Sequence, residues 1–277
     1  MHAYSSTLPV GDTAYWTRYA LGKHLQQIGL QPGDAVMVHA GLRAIGPMLN
    51  GPDTLIDALL DTVGPTGTLL CYVNWEQQYE DALDEEGRIP DALKPHIPPF
   101  DPARSRASRD HGAFAEFVRT TPGAQRSGNP GASVAAIGGR ANWFTANHPL
   151  DYGYGPNSPF ARLVSAAGNV LMIGCPLDTM SLLHHAEHLA QIPGKHSCRM
   201  EVPLLLSGQT LWRMIEEFDT AEPVVDGLEP DYFGTIVDEF LVAGNGRRGQ
   251  VGNAPAVLVP AADMVAFAVD WLEQRFG

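Results

Sequence analysis

Positive charge is scarce in this sequence: 18 Lys and Arg stand against 31 Asp and Glu, a formal net charge of -13. Nucleic acid and anionic membrane both reward basic side chains, so neither is expected as a partner. Cysteine is scarcer still. The three, Cys71, Cys175 and Cys198, are odd in number and lack any CxxC pair, which argues against a disulfide framework and a cysteine zinc knuckle. Cys71 and Cys175 lie in apolar runs and read as core residues. No apolar run approaches the ~18 residues that would span a bilayer. The opening MHAYSSTLPVGDTAYW has no basic start and no long apolar stretch, so no signal peptide is expected and the cytoplasm is the expected location.

What is present is ordinary globular composition with many turns. The chain has 277 residues, near the upper edge of what one core supports, so one domain over 1–277 is expected. Leu21, Leu25 and Ile28 recur at helical spacing, which predicts a helix over 13–29 capped by Asp12 or Thr13. A buried strand at 35–38, a helix at 53–63 and a strand at 69–73 form a βαβ unit. Residues 76–110 break this regularity with acids, Pro and Arg, and read as a substrate-loop insertion. Further helices are expected near 111–121, 158–166, 179–191 and 230–242, with Thr179 or Asp178 capping the third. Strands are expected near 133–137, 170–173 and 256–259, one or two antiparallel strands over 201–218, and a final helix from Pro260. The fold class is α/β: a central mixed, partly parallel sheet flanked by helices, a three-layer sandwich.

The sharpest local pattern is His184-His185-Ala186-Glu187-His188 on the 179–191 helix. His184, Glu187 and His188 share one helix face. Two chemistries fit. HxxEH places two imidazoles one turn apart beside a carboxylate, as a zinc hydrolase requires, with Glu216, Glu217 or Glu239 as a third ligand. Alternatively, a histidine oriented by a carboxylate one turn away is a general base. Two solvent-exposed polar residues would give the same local spelling.

Longer segments carry a resemblance. VMVHAGLRAIG at 36–46, GPTGT at 64–68, PPFDP at 98–102, RSGNP at 126–130, GPNSP at 155–159, LHHAE at 183–187, IP at 192–193 and VGNA at 251–254 occur in one order. This set, across roughly 15–277, resembles the aminoglycoside 3-N-acetyltransferase family, which is distinct from the GNAT fold. It is most similar to the branch acting on gentamicin- and kanamycin-type drugs. The resemblance implies acetyl transfer from acetyl-CoA to the 3-amino group of the 2-deoxystreptamine ring, conferring antibiotic resistance. It implies His184 as base, Glu187 as its support and no metal. An acceptor amine is mostly protonated near neutrality, and an imidazole can take that proton.

The resemblance also implies further site residues. His39 stands at a strand end, followed by Gly41 where the family usually has serine; a backbone N–H contact is expected there. Gly41, Leu42, Arg43, Ala44 and Ile45, with Ser158 and Asn253, are expected along the CoA arm, and Arg247 and Arg248 are further partners for its phosphates. Asn129 replaces a family histidine. Trp75, Glu76, Tyr79, Glu80, Asp101 and Asp219 are expected at the substrate, the carboxylates pairing with ammonium groups and the rings stacking on sugars. The remaining partners are none beyond these two small molecules, with a monomer or homodimer expected. A different acceptor amine, a zinc hydrolase and a binding module without catalysis are the alternatives.

Overall fold

The computed structural model describes residues 7–75, 78–220 and 223–277. A hairpin comes first, β1 (Thr7–Val10) and β2 (Thr13–Trp16), turned at Gly11 with φ of 59°. The Thr-Ala-Tyr-Trp run is rich in strand formers. The helix therefore begins later than its apolar spacing suggested, at α1 (Arg18–Ile28), and its cap is Thr17, whose hydroxyl accepts from the Ala20 amide at 3.1 Å.

The expected βαβ unit follows as β3 (Ala35–Ala40), a short α2 (Leu42–Ile45), α3 (Pro52–Val63) and β4 (Thr68–Tyr72). Then come α4 (Gly112–Thr120), β5 (Gln125–Arg126), β6 (Val134–Gly138), α5 (Ala141–Thr145), α6 (Pro159–Ser165) and β7 (Asn169–Ile173). The remainder is α7 (Leu183–Leu189), a long hairpin β8 (Ser197–Leu206) and β9 (Gln209–Phe218), α8 (Tyr232–Val242), β10 (Arg247–Val251), β11 (Ala254–Pro260) and α9 (Ala261–Phe276).

Seven strands form one mixed sheet in the order β10-β11-β7-β3-β4-β6-β5. β3 runs parallel to both β4 and β7, and the outer pairs are antiparallel. Alternate residues feed two cores. Val36, Val38, Leu69, Leu171 and Ile173 meet Leu21, Leu25, Leu55, Leu59 and Phe114 of α1, α3 and α4. Met37, Leu70, Val170 and Met172 meet Phe144, Phe160, Leu183, Ile236 and Met264 of α5 to α9. Each fully buried side chain of this size contributes about 1.5–3 kcal/mol, and the two faces together make the three layers.

Residues 78–111 hold only short 3-10 turns, in keeping with an insertion. They are fastened to the hairpin. Phe100 exchanges backbone bonds with Pro203 and Leu205 at 2.7 and 2.9 Å. Buried Glu201 accepts from the Ile89 amide and from Lys94 Nζ, both at 3.0 Å. A third apolar cluster of Trp75, Phe100, Val202, Leu204 and Ile215 fills the join. Among the described residues no helix is long and apolar enough to cross a membrane.

Candidate active site

The parallel strands β3, β4 and β7 end together, and the segments leaving them build the site, as open α/β sheets generally do. His39 closes β3, Tyr72 closes β4, and the turn after β7 leads through Thr179 and Ser181 into α7. This helix is shorter than its periodicity suggested. Residues 177–179 form a 3-10 turn behind Pro176, and the Leu183 amide donates to the Met180 carbonyl, so neither Asp178 nor Thr179 is the cap. At its other end Lys195 Nζ donates to the carbonyls of Glu187, His188 and Ala190 at 2.9–3.1 Å, placing a cation on the negative end of the helix.

His184 lies in the first turn of α7. Its Nδ1 is 2.6 Å from Glu187 Oε2. Glu187 is an acceptor, so Nδ1 carries the proton and Nε2 carries the lone pair. Glu187 is buried, and its other oxygen accepts from the Tyr232 hydroxyl of α8. The His184 ring is packed between Tyr154 and Phe233, at centroid distances of 4.7 and 4.9 Å. One edge of it lines a cavity of about 500 Å³ with Tyr72, Asp110, His111, Thr179 and Thr220. His184 Nε2 has no hydrogen-bond partner among the described residues. The arrangement fixes the tautomer of His184 from behind and leaves Nε2 able to accept a proton, on a ring that lines the cavity.

His188 is not part of this group. Its ring packs edge-on against Tyr152 and Phe218, and a side chain at Gly155 would collide with it at 2.6 Å. Among the described residues no three His, Cys, Asp or Glu side chains gather as a metal would need.

Of the smaller cavities that adjoin the His184 cavity, two lie at the ends of β4 and β3. One, about 170 Å³, shares Tyr72, Asn74, Tyr154 and Thr220 with it and adds Glu80, Glu217 and Asp219 between the insertion and the hairpin. Tyr72 and Tyr154 stand on the boundary with their hydroxyls 2.6 Å apart. Because the Tyr72 hydroxyl donates to the Gly131 carbonyl at 2.9 Å, Tyr154 is the donor to Tyr72. The loop carrying Tyr154 is pinned by two buried histidines. His185 Nδ1 donates to the Tyr154 carbonyl at 2.7 Å, and His148 bonds the Gly153 carbonyl at 2.6 Å and Ser127 Oγ at 2.8 Å. Burial pushes His148 down to about 4.

The other cavity, about 180 Å³, lies at the end of β3 between His39, Gly41, Phe114, Cys175 and Pro176, and shares Tyr72, Asp110, His111 and Thr179 with the His184 cavity. Cys175 is half-buried: it packs against the core, as its apolar run suggested, and also forms a wall of this cavity. Burial, and then His111, push His39 down to about 4, so it is neutral; its Nε2 is buried without a hydrogen-bond partner among the described residues.

Several expected contacts are corrected. The Gly41 amide is not available to a ligand, because it donates to the Ile173 carbonyl at 2.8 Å. The loops touch so closely there that a Cβ on residue 41 would lie 2.2 Å from the Gly174 carbonyl, which is why glycine occupies the position. Ile45 is a core side chain, Leu42 packs against the same core, and Ala44 and Arg43 face outward. Ser158 is fully buried as the cap of α6, accepting from the Ala161 amide at 3.1 Å, and reaches neither cavity. Asn253 braces α2: its amide donates to the Ile45 carbonyl and its side chain accepts from Trp16 at 3.2 Å. Arg247 and Arg248 lie on edge strand β10, and Arg248 pairs with Asp238 at 2.8 Å.

Near the hairpin, Trp75 is buried beside Phe100 and Tyr79 in the third cluster, so its faces are covered by protein and not open for the expected stacking. Tyr79 packs against the same cluster. Asp101 caps its own turn, accepting from the Ala103 amide at 2.9 Å, away from the cavities. Glu80 and Asp219 do line the acceptor-side cavity, and Glu76 lies outside the described residues. Asn129 is a buried knot, donating to the Pro149 and Leu150 carbonyls and accepting from the Ala132 amide. Tyr72, Tyr154 and Tyr232 escaped the sequence reading, because each comes to His184 or Glu187 across a large sequence separation and none sits in a marked spacing; Glu217, proposed from sequence as a third zinc ligand, instead lines the adjoining cavity.

Comparison with known proteins identifies the family. The sequence model of the aminoglycoside 3-N-acetyltransferase family matches residues 37–273. Aminoglycoside N(3)-acetyltransferase III of Pseudomonas aeruginosa is 46% identical over 257 residues, covering 91% of this chain and 92% of its own. Aminoglycoside N(3)-acetyltransferase VIII of Streptomyces fradiae is 41% identical over 268 residues, covering 94% and 93%. Among solved structures, AAC-IIIb in binary complex with CoASH superposes with a TM-score of 0.94 at 60% identity, covering 95% of this chain and 98% of that one. Sisomicin-bound AAC-VIa gives 0.90 at 40% identity, covering 95% and 99%.

Proposed function

This chain belongs to the aminoglycoside 3-N-acetyltransferase family, and we propose that it transfers the acetyl group of acetyl-CoA to the 3-amino group of the 2-deoxystreptamine ring of an aminoglycoside. The observation that carries the chemistry is the His184–Glu187 pair at 2.6 Å with Nε2 left free beside the cavity. His184 Nε2 accepts a proton from the attacking amine. Glu187, itself held by Tyr232, stabilises the imidazolium that forms. The amine nitrogen bonds to the thioester carbon, the carbon–sulfur bond breaks, and the proton held on His184 passes to the departing sulfur, so that CoA leaves as the thiol and the imidazole is neutral again. Tyr154 and Phe233 hold the ring to one orientation, so little is lost to reorientation.

The two adjoining cavities divide the substrates by charge. The one bearing Glu80, Glu217 and Asp219 suits a polycation and repels CoA phosphates, so the aminoglycoside takes it. The one at His39 takes the thin acetylated arm of CoA, with the unpartnered His39 Nε2 available to a carbonyl of that arm and Arg43 outside it for a phosphate. Acting in the cytoplasm, such an enzyme confers resistance by neutralising one ammonium of the drug. The test is release of free thiol from acetyl-CoA with gentamicin, kanamycin, apramycin and simple amines. Turnover on the antibiotics is expected; turnover confined to simple amines moves the protein to another acceptor.

A further inference from the structure

Glu217 is a carboxyl at the acceptor cavity to which the described residues bring backbone amides but no side-chain donor. It lies on β9, with its carboxylate accepting from the Phe218 amide at 2.8 Å and from the Gly153 and Tyr154 amides. Its neighbours in the cavity wall are Tyr72, Tyr154, Cys198, Glu80 and Asp219, and no Lys or Arg lines that wall among the described residues. A carboxyl withdrawn from water is ordinarily matched by a cation, since charging it alone is costly. Burial pushes Glu217 up to about 7, against the pull of its three amides. The buried anions Glu187 and Glu201, by contrast, are each met by a side-chain donor, Tyr232 and Lys94.

We propose that Glu217 is the specificity-determining carboxylate of the acceptor cavity: it takes a second ammonium group of the aminoglycoside while His184 works on the first. The inference rests on the reading of the acceptor given above. The matching cation comes with the ligand, so the pairing exists only in the complex. Because Glu217 is half-buried, that contact is screened less by water and salt than one at an open acid and so discriminates more strongly. An ammonium at the contacted ring position pairs with Glu217; a hydroxyl there forms only a neutral or singly charged hydrogen bond.

The experiment compares wild type with Glu217→Gln on pairs of aminoglycosides that differ by one amino-for-hydroxyl exchange, such as kanamycin B and kanamycin A. Steady-state kinetics, calorimetric binding and thermal melting are all read. Glutamine keeps the shape and an acceptor for the Phe218 amide. For at least one pair, KM and Kd of the amino member rise by about tenfold or more, those of the hydroxyl member stay within about threefold, and kcat is little changed. The Gln variant also melts about 2–4 °C higher at pH 8, because an uncompensated anion has been removed. Loss of affinity equally for both members of every pair, or a lower melting point, overturns the proposal, since a merely structural carboxylate behaves that way. If Glu217→Gln does not fold, Glu217→Asp serves: retained charge keeps the amino member preferred, and loss of the preference counts against the idea. A wild type that binds the amino member more tightly through Glu217 yet acetylates nothing sinks the assigned reaction and leaves this inference standing.

Discussion

The two ends of the site are built on opposite plans. At the His184 end the supporting groups are already met by protein, His184 Nδ1 by Glu187, Glu187 by Tyr232 and the helix end by Lys195, and Nε2 is left for the substrate. At the acceptor end three carboxyl-bearing residues share a wall with no cation among the described residues. The base end is preorganised, so its groups act without rearrangement when the proton moves. In the proposed division of the site, the acceptor end brings no side-chain donor to Glu217, so that group gains most when a polycation arrives. Substitution should therefore read out differently: kcat at the base end, KM and stability at the acceptor end.

The largest effect is expected at His184. His184→Ala removes the cavity-lining imidazole whose Nδ1 is held by a buried carboxylate. Removing a positioned base typically lowers turnover about 10²–10⁴-fold. Aminoglycoside and CoA affinity should stay within about threefold, because neither contact is made through Nε2 in the resting enzyme. A variant retaining near-wild-type kcat breaks the assignment of roles between the two ends.

A smaller effect is expected one bond further out. Tyr232→Phe leaves Glu187 buried but takes away its hydroxyl donor. Loss of one hydrogen bond to a charged group is worth about 1.5 kcal/mol or more, so kcat should fall about tenfold with KM unchanged. Measured beside Glu187→Gln, the double variant should fall short of the product of the two, since the hydroxyl acts only through the carboxylate. Full multiplicativity of the two losses means that Tyr232 does something else.

This contrast also explains what the sequence could tell. The base and its carboxylate are three residues apart on one helix, so local periodicity brings them together and the pattern is legible. The βαβ unit was equally visible, because its strands are continuous apolar runs and its helix has a clean apolar face. The acceptor end is assembled from Tyr72, Glu80, Tyr154 and Glu217, which only the tertiary fold brings together. Trp75 misled for a related reason. An aromatic in an acidic insertion reads as a sugar platform, yet the insertion needs a core of its own, and Trp75 with Phe100 supplies it. Ser158 and Gly41 belong to recognisable segments whose physical job is to cap a helix and to let two loops touch.

The finest test of the comparison uses proton linkage. Burial holds His39 and His148 at about 4 in the fold, against 6.5 when exposed. Between those values the unfolded chain binds the extra protons, so these two groups make stability rise with pH from about 4 to 6.5 and fall on acidification. Glu217 has the opposite sign. Its proton is held to about 7 in the fold but only to 4.5 when exposed, so between pH 4.5 and 7 the native state binds the extra proton and stability falls as pH rises. Across pH 5–6 the acceptor-end carboxyl therefore cancels about one of the two histidine protons. Denaturant unfolding of wild type over that range should show a shallow rise with pH, and Glu217→Gln a steeper one, by up to about 1.4 kcal/mol per pH unit for the single proton removed. Identical slopes for the two proteins would mean that Glu217 is ionised in the empty enzyme, and that the acceptor end is no less complete than the base end.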